Sequence, residues 1–107
     1  MERDIVVLGS LNVDFVVRVS RRPGPGETVF GKGFAIFPGG KGANQAVAVG
    51  RLGGNVCMAG RIGDDVFSGI LLDSLANASV GTENIIATKD TLTGSAFITV
   101  DDTGENS

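Results

Sequence analysis

Two short stretches hold the groups with which this chain could do chemistry. The first is Asn12 and Asp14 within Gly9-Ser10-Leu11-Asn12-Val13-Asp14. In extended backbone, residues two apart project to the same side, so both would face one ligand. The Asp14 carboxylate accepts hydrogen bonds, and the Asn12 carboxamide both donates and accepts them. That pairing suits the hydroxyls of a sugar. The structural alternative is a turn asparagine followed by an aspartate at a strand start. The second stretch is Phe37-Pro38-Gly39-Gly40-Lys41-Gly42-Ala43-Asn44. Its three glycines permit backbone angles and close approaches that a side chain would block. A run of good helix formers follows, so the first amides of a helix would point out of this loop without an intrahelical partner. With Lys41 and Asn44 beside them they form a mouth for an oxygen-rich, partly anionic ligand.

Spacing excludes two familiar phosphate loops. A P-loop needs Gly-x4-Gly-Lys-Ser/Thr. Here Ala35 stands where its first glycine belongs and Gly42 where its hydroxyl residue belongs. A dinucleotide-binding turn running from Gly40 through Gly42 meets Gln45 where its third glycine should be. The chain has no histidine, which excludes Ser-His and Cys-His nucleophiles and a Cys/His zinc site within it. Its net charge is −3 and no basic cluster occurs, so a nucleic-acid partner has no electrostatic support. Cys57 is the single cysteine; inside Val56-Cys57-Met58-Ala59 it reads as a buried, inert thiol.

The elements that must position these groups follow from the pattern. Ile5-Val6-Val7-Leu8 reads as a strand buried on both faces, of the parallel-sheet kind. In such sheets ligands gather beyond the carboxyl ends of strands, where Asn12 and Asp14 lie. Phe15 to Val19 reads as a second strand, with Phe15, Val17 and Val19 on one face. Thr28-Val29-Phe30 and Phe34-Ala35-Ile36-Phe37 read as strand pieces of an antiparallel flap, broken at Gly31-Lys32-Gly33. Pro38, lacking an N–H, is expected to end that strand. The helix is expected to start near Gly42 or Ala43 and to stop at Gly53. Asn55 to Ala59 is a short buried strand, completing a βαβ unit. Gly60 to Asp65 is expected to turn into a second helix capped by Asp64 or Asp65. Phe67, Ile70, Leu71 and Leu75 of that helix would face the sheet. A metal role for the two aspartates is the rival to capping. Thr82 to Thr88 reads as an edge strand and Thr93 to Val100 as the last strand. Asp101 to Asn106 has hairpin-turn chemistry with no returning strand, which suggests truncation.

Gly39-Gly40-Lys41-Gly42-Ala43-Asn44-Gln45-Ala46 followed by Gly50-Arg51-Leu52-Gly53 resembles the N-terminal signature of the ribokinase family of sugar and nucleoside kinases. Gly9 to Asp14 and Pro25-Gly26-Glu27-Thr28 fit the same family. The resemblance runs along the whole chain and covers about the first third of a typical member. It implies an α/β fold: part of a central parallel sheet with flanking helices, plus a small β-sheet lid from about residues 14–38 and 94–107. It implies that the nucleotide-binding C-terminal part is absent. The exposed apolar side of Phe15, Val17, Val19, Phe30 and Phe34 would suit a lid that forms a homodimer surface, although such residues are also ordinary core.

By the same resemblance, Asn12, Asp14, Gly40, Lys41 and Asn44 bind the sugar, with Val13, Gly39, Gly42, Ala43 and Ala96 as further contacts. Lys41 suits three roles: holding a sugar hydroxyl, aiding the transferred phosphate, or standing in solvent. The implied reaction is transfer from MgATP to a pentose, D-ribose first among them, with a K+ requirement common in the family. No catalytic residue is expected in this chain, because the family's Asp-Thr-x-Gly-Ala-Gly-Asp motif does not occur in it. ATP, Mg2+ and K+ would bind mainly through the missing part. Nucleosides and fructose are alternative substrates, and a non-catalytic sugar-binding or oligomerising module is the alternative outside the enzyme class. Met1-Glu2-Arg3-Asp4 and the short apolar run after it are too short and too acidic for a secretory signal. No segment is long enough to span a membrane. A cytoplasmic protein is expected.

Overall fold

A computed structural model describes residues 2–107; Met1 lies outside them. The described chain divides into two units. The first holds the chain up to Val13 and Pro38–Gly94, the second Asp14–Phe37 and Ser95–Ser107.

The first unit is built on a parallel sheet of β1 (Ile5–Leu8), β4 (Val56–Gly63) and β5 (Gly81–Thr88), in the order β1-β4-β5. Ile5 pairs with Val56 and Leu8 with Ala59, and farther along β4 Gly60 pairs with Ile85 and Gly63 with Thr88. Two helices cross between these strands, α1 (Lys41–Arg51) before β4 and α2 (Ser68–Asn77) after it. The strand order advances in one direction, so two crossovers of the same hand put both helices on one face. They touch each other there, α1 against β1 and β4 and α2 against β5. Ala46, Val56, Met58, Leu71, Leu75 and Val80 form the middle of the core between sheet and helices. Cys57 is buried, and its sulfur accepts from Asn84 Nδ2 at 3.4 Å.

Both helices end in the same way. In α1, Gly53 takes φ 89°. Its N–H donates to Gly50 and that of Gly54 to Val49, the paired bonds of a Schellman cap. In α2 the left-handed position falls on Ser79, at φ 63°. The Ser79 N–H donates to Ala76 and the Val80 N–H to Leu75.

The second sheet has the order β3-β2-β6, with β2 at Asn12–Arg18, β3 at Gly33–Gly39 and β6 at Gly94–Val100. The Lys32 N–H donates to the Arg18 carbonyl at 2.6 Å, bringing the start of β3 beside the end of β2, an antiparallel arrangement. The Val19 N–H donates to the Val100 carbonyl at 2.9 Å, so β2 and β6 end together and run parallel. The Phe15 ring stacks on Phe34 and Phe97, at centroid distances of 6.3 and 5.1 Å.

Several expectations are corrected. The residues of β1 are not buried on both faces: Val7 packs on the core, while Ile5, Val6 and Leu8 are exposed, Leu8 to 82%. The cause is position, since β1 is an edge strand with α1 on one face. Thr28-Val29-Phe30 is not a strand, and Phe30 is 93% exposed. Val19 is buried rather than part of an exposed apolar side. Pro38 does not end β3 but lies inside it; at the edge of its sheet, its missing N–H breaks no ladder. Gly60-Arg61-Ile62-Gly63 is not a turn but the second half of β4. The final turn does return, with Asn106 bridging antiparallel to Val100 and the Ser107 N–H donating to Thr99.

Candidate functional site

In the first unit, the carboxyl end of β1 meets the amino end of α1 backbone to backbone. Gly40, the residue before α1, has φ 99°. A Cβ there would lie 2.5 Å from the Ser10 carbonyl oxygen and 3.2 Å from the Asn12 nitrogen. The glycine is therefore required twice, by its angle and by its neighbours. The Ser10 carbonyl accepts from the Ala43 N–H at 3.1 Å, and the Asn44 N–H closes on the Gly40 carbonyl at 2.9 Å. The Asn44 bond is the first within the helix; of the three amides of α1 ahead of it, that of Ala43 is engaged by the Ser10 carbonyl, and the other two belong to Lys41 and Gly42. The expectation of a mouth of unpartnered amides narrows to that pair.

Asn12, Gly40, Lys41 and Asn44 are brought together around this junction, with Lys41 and Asn44 exposed and Asn12 and Gly40 half-buried. Gly39, Gly42 and Ala43 are buried beneath it, and Val13 is fully buried, so its side chain packs. Asp14 and Ala96 belong to the second unit, both half-buried. There Phe15 and Phe97 stack on one face of the sheet, so Asp14 and Ala96, one residue back in each strand, project from the other.

The paired aspartates are structural. Asp64 accepts from the Asp90 N–H at 2.8 Å and the Thr91 N–H at 3.3 Å, holding the turn after β5. Asp65 accepts from the Phe67 and Ser68 N–H groups, both at 3.2 Å, which caps the turn into α2. The formal cap position is Phe67, so capping acts from two residues earlier than the helix start suggests. Asp65 also accepts from the Thr93 N–H at 2.8 Å and the Thr93 hydroxyl at 2.7 Å. These bonds, the Thr93 backbone bond first, hold its carboxyl below the usual carboxylate range. Among the described residues, no group of three acidic, cysteine or histidine side chains could hold a metal ion.

Sequence reasoning missed three members of this site. One is the Ser10 carbonyl, which ties the loop to α1. The others are Gly94, which lies against Asn12, and Thr93 before it, which is bonded to Asp65; both relations are tertiary. A Cβ on Gly94 would lie 2.5 Å from Asn12 Oδ1. The local sequence carries no stronger signal for this than a glycine at a strand start.

A model of the pfkB family of carbohydrate kinases matches residues 2–107. A ribokinase of Bacillus subtilis is 45% identical over 105 residues, covering 98% of this chain and 36% of that protein. A ribokinase of Schizosaccharomyces pombe is 46% identical over 109 residues, covering 96% and 34%. The structure of an Arabidopsis thaliana ribokinase complexed with ribose and ATP superimposes with a TM-score of 0.90 at 32% identity, covering all of this chain and 35% of that one. The chain spans about a third of the length of the curated relatives it matches. Among the described residues no helix is long and apolar enough to cross a membrane.

Proposed function

This chain belongs to the pfkB family of carbohydrate kinases, and on that premise we propose that it forms the sugar-gripping part of a kinase that phosphorylates D-ribose. The observation that supports the reading is the junction at which the backbones of Ser10 and Asn12 meet Gly40, just ahead of α1. The similarity to a ribokinase complexed with ribose and ATP supports the choice of sugar.

In this reading Asn12 donates to one hydroxyl and accepts from another, Asp14 accepts from hydroxyls, and Asn44 and Lys41 close the rim. The bare backbone of Gly40 lets the ring approach. Phosphoryl transfer requires a positioned hydroxyl, a base for its proton and positive charge about the moving group. The residues described here are assigned only the first task, and holding a hydroxyl in line converts binding into rate. ATP with Mg2+ is the phosphoryl donor. The described residues offer that ion no donor set, since Asp64 and Asp65 are committed to backbone amides.

Calorimetry with D-ribose, 2-deoxyribose, fructose and adenosine tests the reading. D-ribose is expected to bind tightest. Asp14→Asn and Asn12→Ala are each expected to weaken it roughly 10- to 100-fold, the worth of one or two hydrogen bonds to polar or charged groups. A folded chain that binds none of the four overturns the proposal, and a preference for adenosine or fructose moves it to another substrate of the family. We further assign the apolar side of the second sheet, where Phe34 and Phe97 stand out, to a second copy of the chain. A sedimentation experiment in which wild type and Phe97→Ser behave as the same monomer removes that assignment.

A further inference from the structure

The Asn12 carboxamide occupies space that any side chain at residue 94 would take. A Cβ built on Gly94 lies 2.5 Å from Asn12 Oδ1, 3.5 Å from its Cγ and 3.6 Å from the Leu11 carbonyl oxygen. The φ of Gly94 is not positive, so backbone conformation does not demand glycine there and the neighbouring amide does.

The residue before it is held firmly. Thr93 is 3% exposed. Its N–H and hydroxyl both donate to the Asp65 carboxylate, and its hydroxyl oxygen accepts from the Gly63 N–H at 3.1 Å. Asp65 in turn receives the first amides of the turn into α2. The end of β4, the entry to α2 and the start of β6 are therefore one hydrogen-bonded joint, part-buried at Asp65 and buried at Gly63, and linked bonds shielded from water resist displacement.

We propose that Thr93 and Gly94 are positioning residues for Asn12. The joint sets where the backbone of residue 94 stands, and the missing Cβ there leaves the space that the Asn12 carboxamide occupies. This rests on the reading of Asn12 as a sugar ligand. It also separates stability from positioning. At Gly94 the atom in the way is the end of a flexible side chain, so Gly94→Ala moves Asn12 and leaves the fold standing. At Gly63 an added Cβ would meet the Thr91 carbonyl and the Thr93 nitrogen, which are backbone and cannot yield so cheaply.

Nuclear magnetic resonance on the 107-residue chain tests the proposal through the side-chain NH2 signals and χ1 couplings of Asn12. Gly94→Ala is expected to change the Asn12 rotamer, keep the backbone amide spectrum beyond its neighbours, and lower D-ribose affinity at least roughly tenfold. Thr93→Val is expected to give averaged Asn12 couplings, and Thr93→Ser to restore native ones. Unchanged Asn12 signals in Gly94→Ala overturn the proposal whatever Thr93→Val does. If Asn12 responds but the wild-type chain binds no D-ribose, the positioning stands and the sugar assignment of Asn12 fails. If D-ribose binds and Asn12 does not respond, the sugar assignment stands and the positioning fails.

Discussion

Gly9 and Gly42 meet through bare backbone: a Cβ on Gly42 would lie 2.8 Å from the Cα of Gly9, and one on Gly9 would lie 3.0 Å from the Cα of Gly42. This contact lets the tip of α1 sit against the end of β1, which is what brings Gly40 to Asn12. Gly42→Ala sets two effects against each other. Alanine favours the helix by about 1 kcal/mol over glycine. Overpacking against unyielding backbone costs about 1–3 kcal/mol. A net loss of stability is expected, read as a lower urea midpoint at unchanged slope. A midpoint equal to or above that of wild type would show that the two segments separate easily.

Gly50 and Ser79 carry opposite expectations although each stands where the other residue type is usual. Gly50 lies inside α1, where alanine normally stabilises, but its Cβ would collide with the Ala78 carbonyl oxygen and lie 3.0 Å from Val80 Cγ2. Gly50→Ala is expected to destabilise by about 1–3 kcal/mol. Ser79 holds a left-handed angle that costs a non-glycine residue about 1–2 kcal/mol. Ser79→Gly removes that cost and loses about 0.4–1 kcal/mol to the greater freedom of the unfolded chain. A net gain of about 0.8 kcal/mol follows from the middle of the two ranges, measurable as a higher midpoint in thermal unfolding. A lower midpoint for Ser79→Gly would mean that the serine makes contacts beyond its cap.

The course of α1 was legible in the chain because its signals are local: small and polar residues from Lys41 onward and Gly53 as a left-handed stop. The strand ends beside the site were less so. Gly60 and Gly63 look like turn punctuation, yet they lie in β4, paired with Ile85 and Thr88, and are glycine because Leu11 and the Thr91–Thr93 backbone leave no room for a side chain. Pro38 looks like a strand breaker and is tolerated because its strand is an edge. Val6 and Leu8 look like buried β residues and are exposed because of where β1 falls in the strand order. In each case the deciding neighbour is distant in sequence, and local pattern does not register it. The approach of Asn12 to the α1 tip was foreshadowed by its polar side chain and the glycine loop; the Asp65–Thr93 joint was visible only as a capping aspartate.

Acid should loosen the loop after β2 through Glu27. Its carboxylate takes two bonds of 2.6 Å from Arg21 and one of 2.9 Å from the Gly24 N–H. These lower its pKa from 4.5 to about 2, the Arg21 hydrogen bond contributing most. The folded value lies below the unfolded one, so the contribution is full above pH 4.5 and is lost as pH falls towards 2. Carbon-13 titration of the Glu27 carboxyl should give a midpoint near 2, and in Arg21→Gln a midpoint well above it. An ordinary carboxylate midpoint in the wild-type chain would mean that this ion pair does not persist in solution.

Phe15 is the middle ring of a three-ring stack, with interplanar angles of 17° to Phe34 and 13° to Phe97. Phe97 is 78% exposed, so little of its value comes from burial and most from the ring contact. An aromatic pair is worth about 0.5–1.5 kcal/mol beyond area. Phe97→Leu keeps an apolar side chain and removes the ring, and is expected to destabilise by about 1 kcal/mol. Replacing Phe15 removes two pairs at once, so Phe15→Leu should cost more than either Phe34→Leu or Phe97→Leu. In the Phe34→Leu and Phe97→Leu double variant the losses should depart from additivity, since those two rings share Phe15 as their partner. Urea midpoints across the set decide it, and a Phe15 variant no weaker than the Phe97 variant would show that the three rings do not act as a stack.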